Sequence, residues 1–234
     1  MPDSSCPVVT IDGPSGSGKG TVSRAVARRV SWHLLDSGAL YRLVALAGAA
    51  AGAPREDAAR HADLARAMRV EFGWGPGGEE RVRLDGRDVS HEIRSETAGA
   101  GASRVAAWPQ VRAALLERQR AFAQPPGLVA DGRDMGTVVF PQADLKVFLT
   151  ATPEERALRR YKQLKDKGSD VSLPALSREI AERDLRDQTR QVAPLRPAAD
   201  ALQIDSTGLD IEAVVARVLE LGVVRRLWPR GRSS

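Results

Sequence analysis

The sequence predicts an α/β fold in which short buried strands alternate with helices. The β-branched segment Val8–Ile11 is typical of a buried strand, and it leads through a glycine-rich loop into the helical segment Thr21–Val30. Further short apolar segments recur along the chain, and most of them precede a segment with helical spacing. These further predicted strands are residues 32–35, 128–131, 145–149 and 201–205.

The length and composition are those of an ordinary globular protein. Of the 234 residues, 42% are hydrophobic and 28% are charged. A chain of this length can bury a substantial core, so we expect a single domain over residues 1–222. Residues 223–234 are expected to form a basic, frayed C-terminal tail.

The single cysteine, Cys6, indicates the compartment. It excludes an intrachain disulfide and a cluster of thiolate metal ligands, and it fits a reducing environment. Residues 1–5 lack the features of a secretory signal, and no apolar stretch approaches the roughly 20 residues of a membrane span. We therefore expect a cytoplasmic monomer with no membrane partner.

Arginine supplies most of the positive charge. The formal net charge is +5, and only five of the 35 basic residues are lysines. Because the planar guanidinium group binds phosphate oxygens in pairs, this composition favours phosphorylated partners. No dense basic run is interleaved with aromatic residues, so we expect no nucleic acid partner.

The glycine-rich loop is the first candidate site. Glycines without Cβ atoms allow successive backbone N–H groups to turn toward one anion, and Lys19 can reach the outer phosphates of that anion. The helix that follows points its positive N-terminal end at the same place. We therefore predict a phosphate-binding loop for a nucleotide such as ATP. Its residues are Gly13, Pro14, Ser15, Gly16, Ser17, Gly18, Lys19, Gly20 and Thr21.

One position departs from the general P-loop pattern. That pattern has serine or threonine directly after the lysine, whereas Gly20 stands there and Thr21 follows. The variant Gly-Lys-Gly-Thr resembles the form found in nucleoside monophosphate kinases such as adenylate kinase, in which the threonine hydroxyl lies near Mg²⁺. A glycine-rich turn without a ligand is the alternative, which the order of strand, glycines, lysine, hydroxyl and helix disfavours.

The second candidate block covers residues 131–141. Asp131 ends a predicted strand, as in the Walker B arrangement, in which a carboxylate binds Mg²⁺ or its waters. Arg133 and Asp134 would then project from the following loop at the same edge of the sheet. The alternative is an ordinary turn.

Residues 70–102 have the pattern of a small antiparallel unit inserted into the α/β chain. Residues 70–72 and 81–84 alternate in polarity, and a turn rich in glycine, residues 73–78, separates them. We expect helices to resume at Pro109. Arg112 lies in the first turn of that helix, where a cation opposes the helix dipole, so an anion or polar base nearby would explain it.

Two charged helices are predicted after residue 152. The first carries Arg156, Arg159 and Arg160, which form either a solvated face or a mobile lid that delivers positive charge to phosphates. In the second helix Arg183, Asp187 and Arg190 share one face at spacings i, i+4 and i+7. This face can bind a phosphate through its arginines and a sugar hydroxyl through its carboxylate.

Together these blocks resemble the bacterial cytidylate kinases from about Val8 to Leu221. The glycine-rich loop alone indicates only a protein that binds a nucleotide. The segments Asp36–Gly38 and Gly132–Thr137, at the separation that they have in this sequence, are much more specific to the family. Four other segments contribute to the resemblance. They are residues 11–21, Tyr41–Arg42, residues 86–94, and residues 182–190.

The resemblance implies an architecture and a reaction. The architecture is a P-loop fold with a five-stranded parallel sheet flanked by helices, an insertion at about residues 70–102 that binds the nucleoside monophosphate, and a helical lid at about residues 153–190. The reaction transfers the γ-phosphoryl group of ATP to CMP or dCMP in the presence of Mg²⁺, giving ADP and CDP or dCDP.

The resemblance also implies residue roles. The phosphate-binding loop would bind ATP, and Thr21 and Asp131 would hold Mg²⁺. The catalytic residues would be Lys19, Arg133, Arg159 and Arg160. The residues implied to contact the acceptor nucleotide are Ser37, Tyr41, Arg42, Ser103, Arg112, Arg133, Asp134, Arg183, Asp187 and Arg190.

Two alternatives stay open at this point. One is a kinase on the same scaffold that acts on UMP, dTMP, AMP or shikimate. The other is a P-loop protein that uses its positive charge to bind RNA with little turnover, although few aromatic residues are available to stack on bases.

Overall fold

The computed structural model describes residues 6–74, 80–166, 168 and 170–229. They form two compact units. The first unit comprises the described residues up to Asp36 and from Arg120 onward, and the second comprises Ser37–Gln119. Among the residues described, no helix is both long enough and apolar enough to cross a membrane.

Strands and helices alternate along most of the chain. The strands are β1 (Val8–Asp12), β2 (His33–Asp36), β3 (Val70–Trp74), β4 (Glu80–Leu84), β5 (Arg87–Asp88), β6 (Leu128–Gly132), β7 (Leu145–Thr150) and β8 (Leu202–Asp205). The α-helices are α1 (Lys19–Val30), α2 (Ser37–Ala50), α3 (Ala58–Ala67), α4 (Glu96–Val105), α5 (Pro109–Arg120), α6 (Pro153–Lys165), α7 (Leu173–Thr189) and α8 (Ile211–Val224). A 3-10 helix spans Glu92–Arg94, and a π-helical turn spans Met135–Val139.

The first unit is built on a five-stranded parallel sheet, which confirms the predicted fold class. Its strand order is β2-β6-β1-β7-β8, so β1 is central and pairs with both β6 and β7. Every residue of β1 and β6 is buried, as expected for parallel strands that are covered on both faces. Helices α1 and α8 pack together over this apolar core.

The strands of this sheet bring polar residues to one edge. Because all five strands are parallel, their carboxyl ends lie side by side. Asp36 at the end of β2 is the register partner of Asp131 in β6, and Asp12 at the end of β1 is the partner of Gly132. The predicted phosphate-binding loop leaves β1 at this same edge.

The second unit contains a separate antiparallel sheet, as predicted. Its strand order is β3-β4-β5, and Val82 and Leu84 on β4 are buried. Strand β3 runs through Gly73 to Trp74, so the first two residues of the turn that we predicted at residues 73–78 belong to the strand. The rest of that predicted turn, residues 75–79, lies outside the described residues.

The expectation that helices resume only at Pro109 is wrong, because α4 begins at Glu96. Ser95 caps this helix by accepting a hydrogen bond from the backbone N–H of Ala98. Helix α4 packs against α2, and a Cβ atom on Gly101 would lie 2.8 Å from the Cβ atom of Ala45. Its small residues therefore permit close packing of two helices, although the sequence analysis assigned most of them to the antiparallel unit.

The C-terminal segment is more ordered than the expected frayed tail. Helix α8 continues to Val224, and the indole of Trp228 packs edge to face on Trp32 with ring centroids 5.2 Å apart. The Nε1 atom of Trp228 donates a hydrogen bond to the carbonyl of Leu219 at 3.0 Å. The chain up to Pro229 thus folds back on the first unit, and the remainder of the predicted tail is outside the described residues.

We expect Gly48→Ala to destabilise the second unit. The new Cβ atom would lie 2.2 Å from Nε2 of His61, whose ring is held by the carbonyl of Asp57 at 2.7 Å and by the edge of Trp108. Overpacking costs about 1–3 kcal/mol, and a contact as short as 2.2 Å belongs in the upper half of that range. Alanine in place of glycine in a helix gains about 1 kcal/mol, so a net loss of about 1–2 kcal/mol in the free energy of unfolding is expected.

Urea denaturation measures this loss, and Gly73→Ala serves as the control. No atom of the described residues lies within 4 Å of a Cβ built on Gly73, so that variant should unfold at the wild-type urea concentration or above. Equal stability of Gly48→Ala and the wild type would contradict the predicted clash.

Candidate active site

The phosphate-binding loop has the tight backbone that its glycines indicate. A Cβ atom on Gly13 would lie 2.0 Å from the carbonyl oxygen of Leu149, so only glycine fits where the loop leaves β1. Gly18 has φ +89°, in the left-handed region, and its carbonyl accepts hydrogen bonds from the N–H groups of Thr21 and Val22. The loop therefore closes directly onto the first turn of α1.

The position of Gly20 explains the departure from the general P-loop pattern. A Cβ atom there would lie 3.1 Å from Oδ2 of Asp131, so a larger residue would press on this carboxylate. Asp131 is buried, and its Oδ1 atom has no hydrogen-bond partner among the described residues. A buried carboxylate oxygen without a partner among the described residues is available as a ligand for a cation. Thr21, the other predicted metal ligand, is exposed on the next position of α1.

Lys19 lies buried within the loop. Its Nζ atom donates a hydrogen bond to the carbonyl of Pro14 at 3.1 Å. Burial, together with the nearby charge of Arg133, lowers the pKa of Lys19 to about 7, although the charge of Asp131 opposes that shift. The side chain is therefore poised to become fully charged when an anion binds beside it.

Burial also changes the protonation of Asp131. It raises the pKa of Asp131 to about 6, with a further increase from the charge of Asp36, while Lys19 and Arg133 lower it. A cation at this carboxylate would favour its ionised form. The residues present thus fit a divalent cation at Asp131, which is the metal ligand that the sequence predicted.

The block after β6 meets α7 within the first unit. Arg133 donates from Nε to Oδ2 of Asp187 at 3.0 Å and from its NH1 group to the carbonyl of Gly132 at 3.2 Å. Burial raises the pKa of Asp187, but the charges of Arg133, Arg190 and Arg183 outweigh that effect and hold the pKa below its usual value. The sequence placed these four charged residues in two separate blocks, but in the structure they form one cluster. They are Arg133, Arg183, Asp187 and Arg190.

Asp12, at the end of β1, is a residue that sequence analysis missed, and it holds the loop that follows Arg133. Asp134 is buried, and its carbonyl accepts the N–H of Val138 at 2.9 Å at the start of the π-helical turn. Asp12 accepts the N–H groups of Met135 and Gly136 at 2.9 and 2.8 Å. Burial raises the pKa of Asp12 to about 7, and these two hydrogen bonds oppose that shift. A carboxylate that ends an apolar strand was the available signal.

Arg156 is the second residue that the predicted site omitted. It is buried, and it donates hydrogen bonds to the carbonyls of Ala151 and Ser15 at 3.1 and 3.0 Å. It also forms an ion pair with Asp184 of α7 at 2.6 Å. Arg156 therefore fastens both helices α6 and α7 to the phosphate-binding loop.

The two predicted lid residues differ in their surroundings. Arg159 donates to Glu155 at 2.8 Å, to the carbonyl of Ser17 at 3.3 Å, and to Oγ of Ser206 at 3.0 Å. It thus braces the phosphate-binding loop as Arg156 does. Arg160 lies at the next position on α6 and donates to Oε1 of Gln163 at 3.2 Å.

In the second unit, two of the predicted substrate residues lie together. Arg112 is buried, donates to the carbonyl of Ala106 at 3.2 Å, and stands 5.8 Å from the ring centroid of Tyr41. Ala106 caps the C-terminus of α4, so its carbonyl provides favourable electrostatics for this cation near the start of α5.

The other three predicted residues of this unit occupy α2 and α4. Arg42 donates to the carbonyl of Ile93 at 3.1 Å, and Ser37 is buried as the first residue of α2. Ser103 is buried on α4, and its Oγ atom has no hydrogen-bond partner in the part of the chain that is described. A buried hydroxyl of this kind is available to a ligand.

Comparison with known proteins identifies the family. The family model for cytidylate kinase matches residues 9–223. The chain belongs to the cytidylate kinase family. It is 60% identical to a cytidylate kinase from Pseudomonas entomophila (strain L48), over 92% of this chain and 95% of that protein. The cytidylate kinase from Bordetella bronchiseptica is 59% identical, over 92% of this chain and 94% of that protein.

Membership of the cytidylate kinase family gives the site a general interpretation. The members are kinases, so the donor is a nucleoside triphosphate and the substrates are small nucleotides. The resemblance that the sequence motifs indicated is therefore confirmed.

We expect ATP binding to take up a proton at pH 8 because of Lys19. With a pKa of about 7, Lys19 is mostly neutral at pH 8 before ATP binds, and the triphosphate charge raises the pKa again. Calorimetric titration with metal-free ATP in buffers of different ionisation enthalpy measures this uptake, which should approach one proton for each ATP bound.

Lys19→Arg is the matched control. Arginine keeps the positive charge but does not titrate in this range, so the uptake should disappear while a cation remains in the loop. The predicted low pKa of Lys19 is wrong if the wild type takes up no proton, or if Lys19→Arg takes up as much as the wild type.

Proposed function

We propose that this chain transfers the γ-phosphoryl group of ATP to CMP or dCMP, giving ADP and CDP or dCDP. The arrangement that carries the proposal is the buried Lys19 of the phosphate-binding loop near the Arg133–Asp187 pair, in a chain of the cytidylate kinase family. The charge of Arg133 contributes to the lowered pKa of Lys19, which supports a joint action of the two cations on one phosphoryl group.

The phosphate-binding loop is proposed to hold ATP. Its backbone N–H groups and the N-terminus of α1 would bind the phosphates, and Lys19 would stabilise the charge that moves toward the leaving oxygen. Arg159 is proposed to assist after it exchanges its contact with Ser17 for a phosphate, and Arg160 is proposed as the second catalytic arginine of the lid.

Asp131 and Thr21 are proposed to hold Mg²⁺ with its waters. The buried Oδ1 of Asp131, which has no hydrogen-bond partner among the described residues, supports this role. When bound, the ion would neutralise charge on the β- and γ-phosphoryl oxygens. Asp131 would then remain ionised throughout turnover.

The contacts proposed for the acceptor nucleotide are those that the sequence motifs implied. In the first unit Arg133 would hold the acceptor phosphate, Asp134 the cytosine, and Asp187 with Arg190 the sugar, while Arg183 would add positive charge. The buried and charge-balanced state of Asp187 supports a role for its cluster in binding a polar ligand. From the second unit the proposed contacts are Ser37, Tyr41, Arg42, Ser103 and Arg112.

Little covalent chemistry is needed for this reaction. The barrier comes mainly from repulsion between two anions and from misalignment of the reacting groups, and the clustered cations reduce both contributions.

We further propose that residues 1–222 act as one kinase domain, with residues 153–190 as the lid that excludes water. We propose a cytoplasmic monomer, consistent with the single cysteine.

We expect CMP and dCMP to be the fastest acceptors in a panel of five nucleoside monophosphates and shikimate. A coupled assay of ADP release, with CMP, dCMP, UMP, dTMP, AMP and shikimate supplied separately at equal concentration, tests this expectation. A site built to hydrogen-bond one base rejects others strongly, by about 10⁴-fold where buried polar groups lose their partners. Faster turnover of UMP or AMP would reassign the acceptor while keeping the reaction type.

We expect Arg133→Ala and Lys19→Ala each to lower kcat with CMP by about 100-fold or more, because each removes charge that stabilises the transition state. The measurement is steady-state kinetics on protein whose folding is checked by circular dichroism. Arg186→Ala is the control, since it removes one positive charge from an exposed position of α7. An equal loss in Arg186→Ala would show that overall charge matters and not the cluster.

A further inference from the structure

Asp12 stands at the point where the central strand ends, and both of its carboxylate oxygens are engaged. Oδ1 accepts the N–H of Met135 at 2.9 Å, and Oδ2 accepts the N–H of Gly136 at 2.8 Å. The residue is only 5% exposed. A buried carboxylate is costly unless its oxygens are hydrogen-bonded, so these two contacts account for its presence in an apolar strand.

Asp12 contacts the segment that carries Arg133 and Asp134 at both of its ends. Asp12 is the register partner of Gly132 in the parallel pairing of β1 with β6. Its backbone therefore fixes the chain just before Arg133, and its side chain fixes the chain just after Asp134. The two residues proposed to contact the acceptor lie between these attachments.

The backbone at Gly136, just beyond Asp134, is closely packed on one side. A Cβ atom on Gly136 would lie 2.9 Å from Oγ1 of Thr10 and 3.1 Å from Cδ of Lys146. The N–H groups that Asp12 accepts are thus presented from a tightly packed turn. Loss of the carboxylate would leave two donors buried in that turn without an acceptor.

We propose that Asp12 is a positioning residue for the acceptor nucleotide, because its side chain fixes the loop that carries Arg133 and Asp134. This inference rests on the proposed function in so far as it names CMP as the ligand. The Asp12 side chain contacts the 135–136 backbone, whereas its main chain belongs to the sheet that supports the phosphate-binding loop. A change of the Asp12 side chain should therefore weaken the binding of the acceptor nucleotide more than the binding of ATP.

The test compares CMP and ATP in two Asp12 variants. In Asp12→Asn one acceptor oxygen remains, and in Asp12→Ala both are lost. We expect the KM for CMP to rise and kcat to fall by about 10-fold in Asp12→Asn and about 100-fold in Asp12→Ala, since small misplacements of a binding group have effects of this size. The Kd for ATP, measured by calorimetry, should change less than about threefold.

Asp144→Asn is the matched control. Asp144 also accepts a backbone N–H, that of Val8 at 2.8 Å, but at the opposite end of β1. A residue that only stabilises the sheet would behave alike at both ends, so Asp144→Asn should leave the KM for CMP within about twofold of the wild type. Equal effects in Asp12→Asn and Asp144→Asn, or equal losses of CMP and ATP affinity, would overturn the proposal.

A second measurement separates this inference from the proposed function. Hydrogen exchange of the Met135 and Gly136 amides should accelerate at least tenfold in the Asp12 variants and remain unchanged in Asp144→Asn. If the wild type neither binds nor phosphorylates CMP, the proposed function fails, while exchange still decides whether Asp12 fixes this loop. Unchanged exchange in Asp12→Asn overturns the proposal even if Asp12→Ala does not fold.

Discussion

Close approach of backbone to backbone at the carboxyl end of β1 constrains the whole first unit. Where the phosphate-binding loop leaves the sheet, Gly13 passes so near the carbonyl of Leu149 that any side chain would collide with it. The loop can therefore turn back over the edge of the sheet and lead directly into α1. The space available at this one crossing thus restricts the path of the loop between β1 and α1.

The first unit also buries several ionisable side chains near the phosphate-binding loop. Lys19 and Asp131 both have pKa values displaced toward neutrality, since each lies away from water with incomplete compensation. The Arg133–Asp187 pair, by contrast, is compensated by direct hydrogen bonding. A site prepared for a polyanion and a divalent cation has this character, because the ligands complete the charge balance that the protein leaves unfinished.

Motif and periodicity predicted the parallel sheet, the antiparallel insertion and most of the clustered charges. They did not predict α4, whose glycine and alanine residues suit close packing on α2 but were mostly assigned to the antiparallel unit. They also placed Arg156 on a lid or solvated face, whereas it is buried against the carbonyl of Ser15. In both cases the deciding partner is distant in the sequence, so local pattern could not reveal it.

The sequence by itself determined the family, the phosphate-binding loop and the identity of the charged residues, because each is encoded in a short contiguous pattern. Only the tertiary structure decided which backbone groups those residues hold. Asp12 bonds to amides more than a hundred positions later, and Arg156 joins the loop to Asp184 of α7. Such contacts depend on how strands and helices pack in three dimensions. Local sequence patterns do not indicate which distant residues will meet.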